Sequence, residues 1–458
     1  MNHEDTPLLE EVKPSARDRC DVLISAGQAD IAASRAAIHL FEINSELEIG
    51  RGPSGGAAPK IETSDPHMSR RHARARRGKG QDITLCDLGS RNGTFVDDVR
   101  VQGECPLRNG AVIFVGSHVF VYRMMSREAF ALVRAGLARP FGPVATFSPA
   151  MACLHAKLRK LAASNLEILL SGETGVGKEV LAEAIHRESG RKGPFVAINC
   201  AALPEGLVES ELFGYARGAH STANTGKPGL IESAQGGTLY LDEIGEMSST
   251  AQAKLLRFLQ DGHYTALGTT HTKRLDVHII AATRAGLADL ERGDGLRSDL
   301  AARLGPEPIL VPPLRERIED VGLLVDYFLG GQACPFDLHG YRSLFVSSWP
   351  GNVRGLERTV RTVMVLGASP EASTPEKATV QSPAEQPDTT KETREFSPAR
   401  ASRPSLPELS ALLQRHRGNV GLVAREIGRQ RTLVWRWLRN AGLAPEEYRD
   451  TLGPDTQA

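Results

Sequence analysis

One segment of the sequence limits the possible folds more than any other, namely a glycine-rich loop between an apolar strand and a helix. The strand-like run LEILLSG leads into the loop, and the helical run VLAEAIHRE follows it. The loop consists of Gly172, Glu173, Thr174, Gly175, Val176, Gly177, Lys178 and Glu179. In this setting backbone N–H groups and the helix start hold phosphates, and the lysine reaches the β and γ oxygens. The segment therefore predicts an ATP-binding α/β domain rather than an ordinary glycine turn.

An acidic pair supplies a second part of the nucleotide site. The run GGTLYLDEIGE predicts a strand that ends at Asp242 and Glu243, and open α/β sheets bind ligands at the carboxyl ends of their strands. We expect Asp242 to hold Mg²⁺ and Glu243 to polarise the attacking water. Glu179 occupies the position where serine or threonine normally binds magnesium. ATP and Mg²⁺ are therefore the predicted cofactors.

Changes in composition divide the 458-residue chain into several parts. Short β-like runs punctuated by Gly, Asn and Asp predict an all-β sandwich, and the alternating strands and helices after it predict a parallel α/β sheet. A segment rich in Pro, Ser, Thr, Glu and Lys cannot bury enough apolar surface to fold, which predicts a flexible linker. The predicted parts are an all-β domain over 21–125, an α/β domain over 143–368 with a helical lid from about 315, the linker over 369–404, and an all-α module over 405–443.

Composition argues against several classes of protein. Lys plus Arg and Asp plus Glu each number 55, so net charge identifies no partner. The six cysteines form no CxxC or Cys/His spacing, which argues against a disulfide framework or a zinc site. No run approaches the roughly 20 apolar residues of a membrane span, and the acidic start MNHEDTPLLEEVKP is unlike a signal peptide. We expect a soluble, cytoplasmic protein without a membrane partner.

The phosphate loop also carries a family resemblance. GETGVGKE resembles the GExGxGKE loop of AAA+ bacterial enhancer-binding proteins, the activators of sigma-54 RNA polymerase, and Glu179 is that family's own variant. The resemblance runs from about Phe147 to Ala368 and includes the blocks FVAINCAAL, ESELFG, GGTLYLDEIGEM, LRSDLAARL, PPLRERIEDV and WPGNVRGLE. It implies ATP hydrolysis by a homo-oligomeric ring, usually a hexamer, that remodels sigma-54 RNA polymerase.

The same resemblance implies roles for residues outside the loop. They are Asn199 as the switch that restrains Glu243, Thr283 as the sensor of the γ-phosphate, Arg297 and Arg303 as arginine fingers offered to the adjacent subunit, and Arg354 as the second sensor on the lid. A finger supplied in trans stabilises charge on the transferred phosphoryl group. Arg284 replaces the asparagine that commonly follows the first sensor. Any one of these arginines alone would indicate a solvated charge, and the surrounding blocks favour the functional role.

One loop departs from the family pattern. The family has GAFTGA, whose phenylalanine and threonine engage sigma-54, whereas this chain has Gly218, Ala219, His220, Ser221, Thr222 and Ala223. Histidine is more polar than phenylalanine, and loss of the second glycine stiffens the tip. We expect ATP hydrolysis to survive this change. Two functions therefore stay open, a regulator of sigma-54 polymerase and a sigma-54-independent DNA-binding regulator whose ATPase acts on another target or controls assembly.

The N-terminal β domain carries a second resemblance, over about 21–125. EIGRG, SRRH, DLGSRNGTFV and LRNGAVIFVG resemble, in order and spacing, the motifs of forkhead-associated (FHA) domains, which bind phosphothreonine peptides. The resemblance implies a phosphate site formed by Arg51, Ser69, Arg70 and Arg91, with Asn92 holding the peptide backbone and His72 bracing the loop. The alternatives are a β sandwich used only as a scaffold, and nucleic-acid contact by the basic run HMSRRHARARRGKG.

The C-terminal module resembles the Fis-type helix-turn-helix that ends enhancer-binding proteins. GNVGLVAREIGRQRTLVWRWLRNAGL reads as one helix capped by Asn419, a turn at Gly428 and a second helix. The second helix would enter the major groove and present Gln430, Arg431, Thr432, Trp435 and Arg436 to DNA. A basic, solvated helical hairpin is the alternative, and the position after a long linker favours DNA binding.

Together these features predict a three-part transcription regulator. It would bind enhancer-like DNA, hydrolyse ATP in a ring, and respond to a phosphothreonine-containing protein through its FHA domain. A phosphorylation-dependent scaffold, in which the FHA domain supplies the main output, is a further hypothesis. The scaffold would act without ATP turnover, and its effect would therefore not depend on Lys178.

Overall fold

The computed structural model describes residues 18–29, 40–53, 59–217, 225–286, 295–305, 307–367 and 406–416, together with Val423 and Leu438. The chain divides into two units, Met1–Val380 and Gln381–Ala458. Several predictions fall outside the described residues. These are the loop at 218–223, the linker at 369–404, and the proposed DNA-reading residues Gln430, Arg431, Thr432, Trp435 and Arg436.

The first part of the chain forms two β sheets, as its short apolar runs predict. Its strands are β1 (Arg19–Gln28), β2 (Leu40–Glu42), β3 (Glu46–Arg51), β4 (Lys60–Thr63), β5 (Ala73–Arg77), β6 (Ile83–Asp87), β7 (Thr94–Val96), β8 (Val99–Arg100), β9 (Glu104–Pro106), β10 (Val112–Val115) and β11 (His118–Ser126). One sheet has six strands in the order β2-β1-β11-β10-β7-β8, and the other has five in the order β4-β3-β5-β6-β9. The two sheets form the predicted all-β sandwich.

The sandwich core lies between the two sheets. It contains Leu23, Ile49 and Leu85, and also Ile113 and Phe120, which lie opposite each other on β10 and β11. Successive side chains on a strand point to opposite faces, so the neighbours of these residues point out of the sandwich. β10 is nevertheless buried at every position. The outer face of the six-stranded sheet must therefore be covered by other elements.

Two helices cover part of that outer face. α1 (Arg127–Ala138) follows β11 directly, and α2 (Pro149–Ala162) begins with proline at its first turn, a position that needs no backbone N–H. Val133 of α1 packs in one apolar cluster with Cys20 and Val22 of β1.

The central part of the chain is an α/β domain. Its elements are β12 (Ile168–Ser171), α3 (Lys178–Ser189), β13 (Phe195–Asn199), α4 (Glu205–Phe213), α5 (Leu230–Ser233), β14 (Thr238–Asp242), α6 (Ser249–Asp261), β15 (His263–Thr265), β16 (Thr272–Arg274), β17 (His278–Thr283), α7 (Ser298–Leu304) and β18 (Ile309–Leu310). The main sheet has the order β13-β14-β17-β12-β18 with parallel pairing throughout, and β15 and β16 form a separate antiparallel pair. The carboxyl ends of β12, β17 and β14 therefore lie side by side.

A helical lid follows this sheet. It consists of two short 3-10 turns, Leu314–Glu316 and Ile318–Asp320, and of α8 (Val321–Leu329), α9 (Leu338–Phe345) and α10 (Asn352–Leu366). The helices enclose an apolar core that contains Val325, Leu344, Phe345, Trp349 and Leu356.

The lid and the β sandwich share this core. Val112 and Phe114 of β10 and Val119 and Val121 of β11 belong to the same buried cluster as the lid helices. Gly322 of α8 approaches the sheet so closely that a methyl group there would overlap a backbone oxygen of β1. No motif in the sequence predicts this contact between the sandwich and the lid.

In the second unit the structure describes one helix, α11 (Leu406–Arg415). Leu409 and Leu413, one turn apart, are fully buried. This agrees with a helical start for the predicted all-α module, and the predicted helix-turn-helix itself stays a prediction. Among the described residues no helix is long and apolar enough to cross a membrane.

Candidate functional site

The glycine-rich loop joins the carboxyl end of β12 to the start of α3. Gly175 and Gly177 have φ angles of 81° and 105°, which side chains disfavour. A Cβ atom at Gly175 would also lie 2.5 Å from the carbonyl oxygen of Gly351 on the lid. The loop therefore needs glycine both for its backbone conformation and for its contact with the lid.

Lys178 begins α3 and lies almost fully buried under the loop. Its Nζ donates a hydrogen bond to the carbonyl oxygen of Gly172 at 2.7 Å. Burial lowers the pKa of Lys178, and the charges of Glu243 and Asp242 oppose that shift. The ammonium group thus lies between the glycine-rich loop and the acidic pair, as a phosphate-binding lysine requires.

The acidic pair lies at the carboxyl end of β14. Asp242 Oδ1 accepts hydrogen bonds from Tyr240 Oη at 3.1 Å and from the backbone N of Glu243 at 3.2 Å. Glu243 has a φ of 52°, which is uncommon for a residue with a side chain and is often found at functional sites. Among the described residues there is no cluster of three or more side chains that could ligate a metal.

The structure places Asn199 beside Asp242, because β13 and β14 pair in that register. Asn199 Oδ1 accepts from the backbone N of Ala201 at 2.9 Å, and its Nδ2 lies 3.5 Å from Asp242 Oδ2. Glu243, the partner expected from the family resemblance, instead pairs with Arg284, whose Nε lies 3.2 Å from Glu243 Oε2. The substitution at Arg284 is visible in the sequence, but no local pattern predicts this ion pair.

Thr283 ends β17 between the glycine-rich loop and the acidic pair. Its side chain is buried, and its Oγ1 accepts from the backbone N of Ala285 at 3.0 Å. Its carbonyl oxygen accepts from the backbone N of Gly172 at 3.2 Å. Thr283 therefore contacts the start of the phosphate loop, where a sensor of nucleotide has to lie.

Lid residues hold the loop from the other side. The backbone N of Arg354 donates to the carbonyl oxygen of Gly175 at 3.2 Å. Asn352, with a φ of 50°, donates through Nδ2 to Glu173 Oε2 at 3.0 Å and to the carbonyl oxygen of Thr174 at 3.1 Å. The predicted second sensor is thus adjacent to the loop in space.

Two further arginines contact the loop, and the sequence analysis assigned them no role. Arg315 forms a bidentate ion pair with Glu173 at 2.9 and 2.7 Å, which lowers the pKa of that carboxyl group. Arg317 is buried and donates through Nη2 to the carbonyl oxygen of Val176 at 2.7 Å. Both belong to the PPLRERIEDV block, so the block itself was the signal that could have identified them.

The predicted finger arginines lie at α7. Arg297 precedes the helix and pairs with Asp299 at 2.8 Å, and its side chain is 43% exposed. Arg303 donates through Nη2 to the carbonyl oxygen of Leu259 at 2.7 Å. These contacts lie within the subunit and involve no residue of the phosphate loop.

The predicted phosphothreonine site lies on loops at one end of the β sandwich. Ser69 Oγ accepts from the backbone N of Arg91 at 3.2 Å, and the backbone N of Arg51 donates to the carbonyl oxygen of Ser69 at 2.9 Å. Asn92 Nδ2 donates to the carbonyl oxygen of His67 at 2.7 Å. The side chains of Arg51, Arg70 and Arg91 are exposed on these loops. The structure therefore brings all the predicted residues of this site into one region.

His72 braces these loops from inside, as the sequence analysis expected. Its Nδ1 accepts from the backbone N of Ser69 at 3.1 Å, and its Nε2 lies 3.1 Å from the carbonyl oxygen of Gly93. Burial lowers the pKa of His72, which keeps the ring neutral. A neutral ring can both accept and donate, and both contacts need that property.

Comparison with known proteins identifies two domains in the chain. Residues 144–309 match the model of the sigma-54 interaction domain, and residues 47–116 match that of the FHA domain. The transcriptional regulatory protein GlrR of Escherichia coli K12 is 39% identical over 315 residues, which is 67% of this chain and 70% of GlrR. The regulatory protein AtoC of the same organism is 43% identical over 238 residues, which is 50% of this chain and 52% of AtoC.

The chain spans about half the length of several curated relatives that it matches. Among solved structures, NtrX from Brucella abortus in complex with ATP aligns with 30% identity, covers 69% of this chain and 74% of its own, and has a TM-score of 0.47.

The two folds define a class of protein in which a P-loop domain of the AAA+ type is joined to an FHA sandwich. The chain belongs to the family of sigma-54-dependent transcription regulators known as enhancer-binding proteins, in a form that carries an FHA domain.

Proposed function

We propose that the chain is a transcription regulator that hydrolyses ATP in an oligomeric ring and thereby remodels sigma-54 RNA polymerase. One observation carries this proposal. The glycine-rich loop, Lys178, the acidic pair and Thr283 meet at the carboxyl ends of three neighbouring parallel strands, with lid residues closing over the loop. Open α/β sheets bind nucleotides at this position.

Each residue has a distinct task in this proposal. The backbone amides of the loop and the start of α3 bind phosphates, and Lys178 neutralises charge on the β and γ oxygens. Bound Mg²⁺ would supply further neutralisation of the phosphates, and Asp242 is the carboxylate placed to hold it. Glu243 orients the attacking water, and Thr283 reports on the γ-phosphate.

The ring is proposed from the position of the finger arginines. Arg297 and Arg303 make their described contacts away from the phosphate loop of their own subunit. If these two arginines stabilise a transferred phosphoryl group, it is that of a neighbouring subunit. A closed ring, most simply a hexamer as in the family, satisfies this requirement for every subunit.

Two further binding functions complete the proposal. The FHA loops bind a phosphothreonine-containing protein through Arg51, Ser69, Arg70 and Arg91, and the C-terminal module binds an enhancer-like DNA site. The exposed guanidinium groups on the FHA loops support phosphothreonine binding, because arginine is the preferred partner of phosphate.

The GAHSTA loop at 218–223 favours a second candidate function. A regulator that has lost the phenylalanine of this loop would bind DNA and hydrolyse ATP without acting on sigma-54. An open-complex assay with sigma-54 holoenzyme, ATP and a promoter carrying the chain's own DNA site separates the two. The proposed function expects open complexes that disappear in Lys178→Ala. ATP hydrolysis without open complexes, rescued by restoring the sequence GAFTGA, would establish the second function instead.

A further inference from the structure

A short segment of the lid, residues 314–320, contacts the FHA sheet on one side and the phosphate loop on the other. On the loop side, Arg315 pairs with Glu173 and Arg317 donates to the carbonyl oxygen of Val176 at 2.7 Å. We call this stretch the bridge segment. It includes the two 3-10 turns that precede α8.

On the other side, a charged residue of the FHA sheet contacts the bridge segment. Arg123 of β11 donates through Nη2 to Glu319 Oε2 at 2.6 Å and to the carbonyl oxygen of Glu316 at 2.9 Å. The Glu319 side chain is fully buried, and that of Arg123 is 10% exposed. A buried ion pair of this kind constrains geometry, because loss of either partner leaves an uncompensated charge in the interior.

The neighbouring contacts tie the same segment down further. Asp320 accepts from Thr146 Oγ1 and from the backbone N of Phe147, both at 2.7 Å. Arg342 of α9 donates to the carbonyl oxygen of Gly116 at 2.6 Å, and its guanidinium lies 5.2 Å from the ring centre of Phe114. The sheet and the lid therefore meet through charged, aromatic and apolar contacts together.

The turn that Arg342 contacts is also connected to the phosphothreonine loops. Asp65 is buried and accepts from the backbone N of Ser117 at 2.7 Å and from that of His67 at 2.8 Å. Burial opposes ionisation of Asp65, but hydrogen bonds from His118 and from these amides hold its pKa below the usual range. His67 is the residue whose carbonyl oxygen accepts from Asn92. Contiguous packed and hydrogen-bonded contacts thus lead from the FHA loops to the lid.

We infer that Arg123 is a positioning residue for the ATPase site, which it serves by fixing the bridge segment against the phosphate loop from the FHA domain. The inference rests on the proposed ATPase function and deepens it. It makes the FHA sheet part of the framework that sets nucleotide affinity. Since binding couplings are reciprocal, occupancy of the FHA loops and of the nucleotide site then influence each other.

The test compares ADP affinity of full-length variants, measured by displacement of a fluorescent ADP analogue. Arg123→Ala and Glu319→Gln should each raise the Kd by about three- to tenfold, the range of mutations along such a network. The double variant should bind ADP no more weakly than the weaker-binding single variant, because the two substitutions remove the same interaction. Arg123→Lys should restore part of the affinity.

A matched control lies in the same domain. Arg108 pairs with Asp97 at 3.0 Å, its side chain is 62% exposed, and the described hydrogen bonds of the two side chains involve no residue of the bridge segment. Arg108→Ala should bind ADP as the wild type does. Unchanged ADP affinity in Arg123→Ala and Glu319→Gln would overturn the inference while leaving the ATPase proposal intact. A wild-type chain that binds no ADP would instead overturn the proposed function.

An independent observation concerns Arg284 and Glu243, the carboxylate proposed to orient the attacking water. Arg284 pairs with Glu243 through Nε at 3.2 Å and with Glu246 through Nη2 at 2.9 Å. A carboxylate engaged by a guanidinium must break that ion pair before it can turn to orient a water molecule. Asn199, the expected restraint, contacts Asp242 rather than Glu243.

We propose that Arg284 restrains Glu243 until nucleotide and the neighbouring subunit displace it. Arg284→Gln should then raise kcat for ATP by about two- to fivefold, the contribution of an ion pair whose arginine is half-exposed. KM should stay the same, because Glu243 does not hold the phosphates. Arg284→Lys, which keeps the charge, should resemble the wild type.

Arg191→Gln is the control, since it removes an ion pair with Asp276 away from the acidic pair, and its turnover should be unchanged. A lower kcat in Arg284→Gln would show that Arg284 assists the reaction, and an unchanged kcat would show that the pair restrains nothing. Either result overturns the inference. Absence of turnover in the wild type would count against the ATPase proposal itself.

Discussion

Replacement of Phe114 by alanine should loosen the lid of the ATPase domain although the residue belongs to the FHA sheet. Phe114 is fully buried in the core shared by β10, β11 and the lid helices. Truncation of a buried phenylalanine typically costs about 3 to 5 kcal/mol. The variant also removes the ring beneath the Arg342 guanidinium, 5.2 Å from its centre. We therefore expect the free energy of unfolding to fall by about 4 kcal/mol, and both the sheet and the lid to be destabilised.

Phe120→Ala is the matched control, because Phe120 is equally buried but faces the interior of the sandwich. Hydrogen exchange of the full chain, followed by mass spectrometry, reports both regions in one experiment. Phe114→Ala should accelerate exchange in α9 by about a hundredfold or more, since 1.4 kcal/mol corresponds to tenfold. Phe120→Ala should act mainly on the sandwich strands. Equal exchange in α9 for both variants, or no change in Phe114→Ala, would refute the idea of a shared core.

Four further outcomes follow from individual residues. Lys178→Ala should abolish ATP turnover, measured by phosphate release, while the chain stays folded by circular dichroism. Gly175→Ala should weaken ADP binding at least tenfold, because its Cβ would meet the Gly351 oxygen at 2.5 Å with φ at 81°; wild-type affinity would contradict this. Arg51→Ala should lose binding to a phosphothreonine peptide selected on the wild-type domain, and should keep ATP turnover. Burial lowers the pKa of His155 to about 4 in the folded protein, below the value near 6.5 in the unfolded chain. The neutral ring therefore favours the folded state above the unfolded pKa, and this contribution to the free energy of unfolding is lost as pH falls towards the folded pKa. In the wild type the free energy of unfolding, measured with urea, should be lower at pH 5 than at pH 7.5. This difference should be about 2 kcal/mol smaller in His155→Leu.

The arrangement of the glycine-rich loop and the acidic pair could be predicted from sequence because both are local motifs with fixed neighbours. The glycine-rich loop lies between its own strand and helix, and Asp242 and Glu243 end a strand of the same parallel sheet. Parallel connection alone then brings their carboxyl ends together. The position of the FHA loops could be predicted for the same reason, since Arg51 ends β3, Ser69 and Asn92 lie in turns, and all three belong to recognisable sequences.

The contact between the FHA sheet and the lid could not be predicted in the same way. Its charged pair joins residues 196 positions apart, and no local pattern specifies such a partner. One signal was present in the strands. The runs AVIFVG and HVFVY are apolar on both faces, which is typical of strands covered on both sides rather than of a sandwich with one solvated face. The pattern indicates a covered outer face but does not identify the lid as its cover.

The ion pair of Arg284 with Glu243 shows a different limit. The family resemblance assigned restraint of Glu243 to Asn199, and the departure at Arg284 was visible in the sequence. A guanidinium reaches farther than an asparagine amide and carries a charge, so it can engage a carboxylate on the neighbouring strand end. Substitutions beside a matched motif can therefore change which residue makes a contact, and only the geometry reveals it.

ATP turnover per subunit, measured against protein concentration, tests the central claim most directly. The claim is that the phosphate loop, Lys178 and Glu243 form an ATPase site that a neighbouring subunit completes through Arg297 or Arg303. Turnover per subunit should rise with concentration, level off where light scattering shows a ring, and stay at background in Glu243→Gln throughout. Turnover per subunit that is constant down to concentrations where the chain is monomeric would contradict the claim.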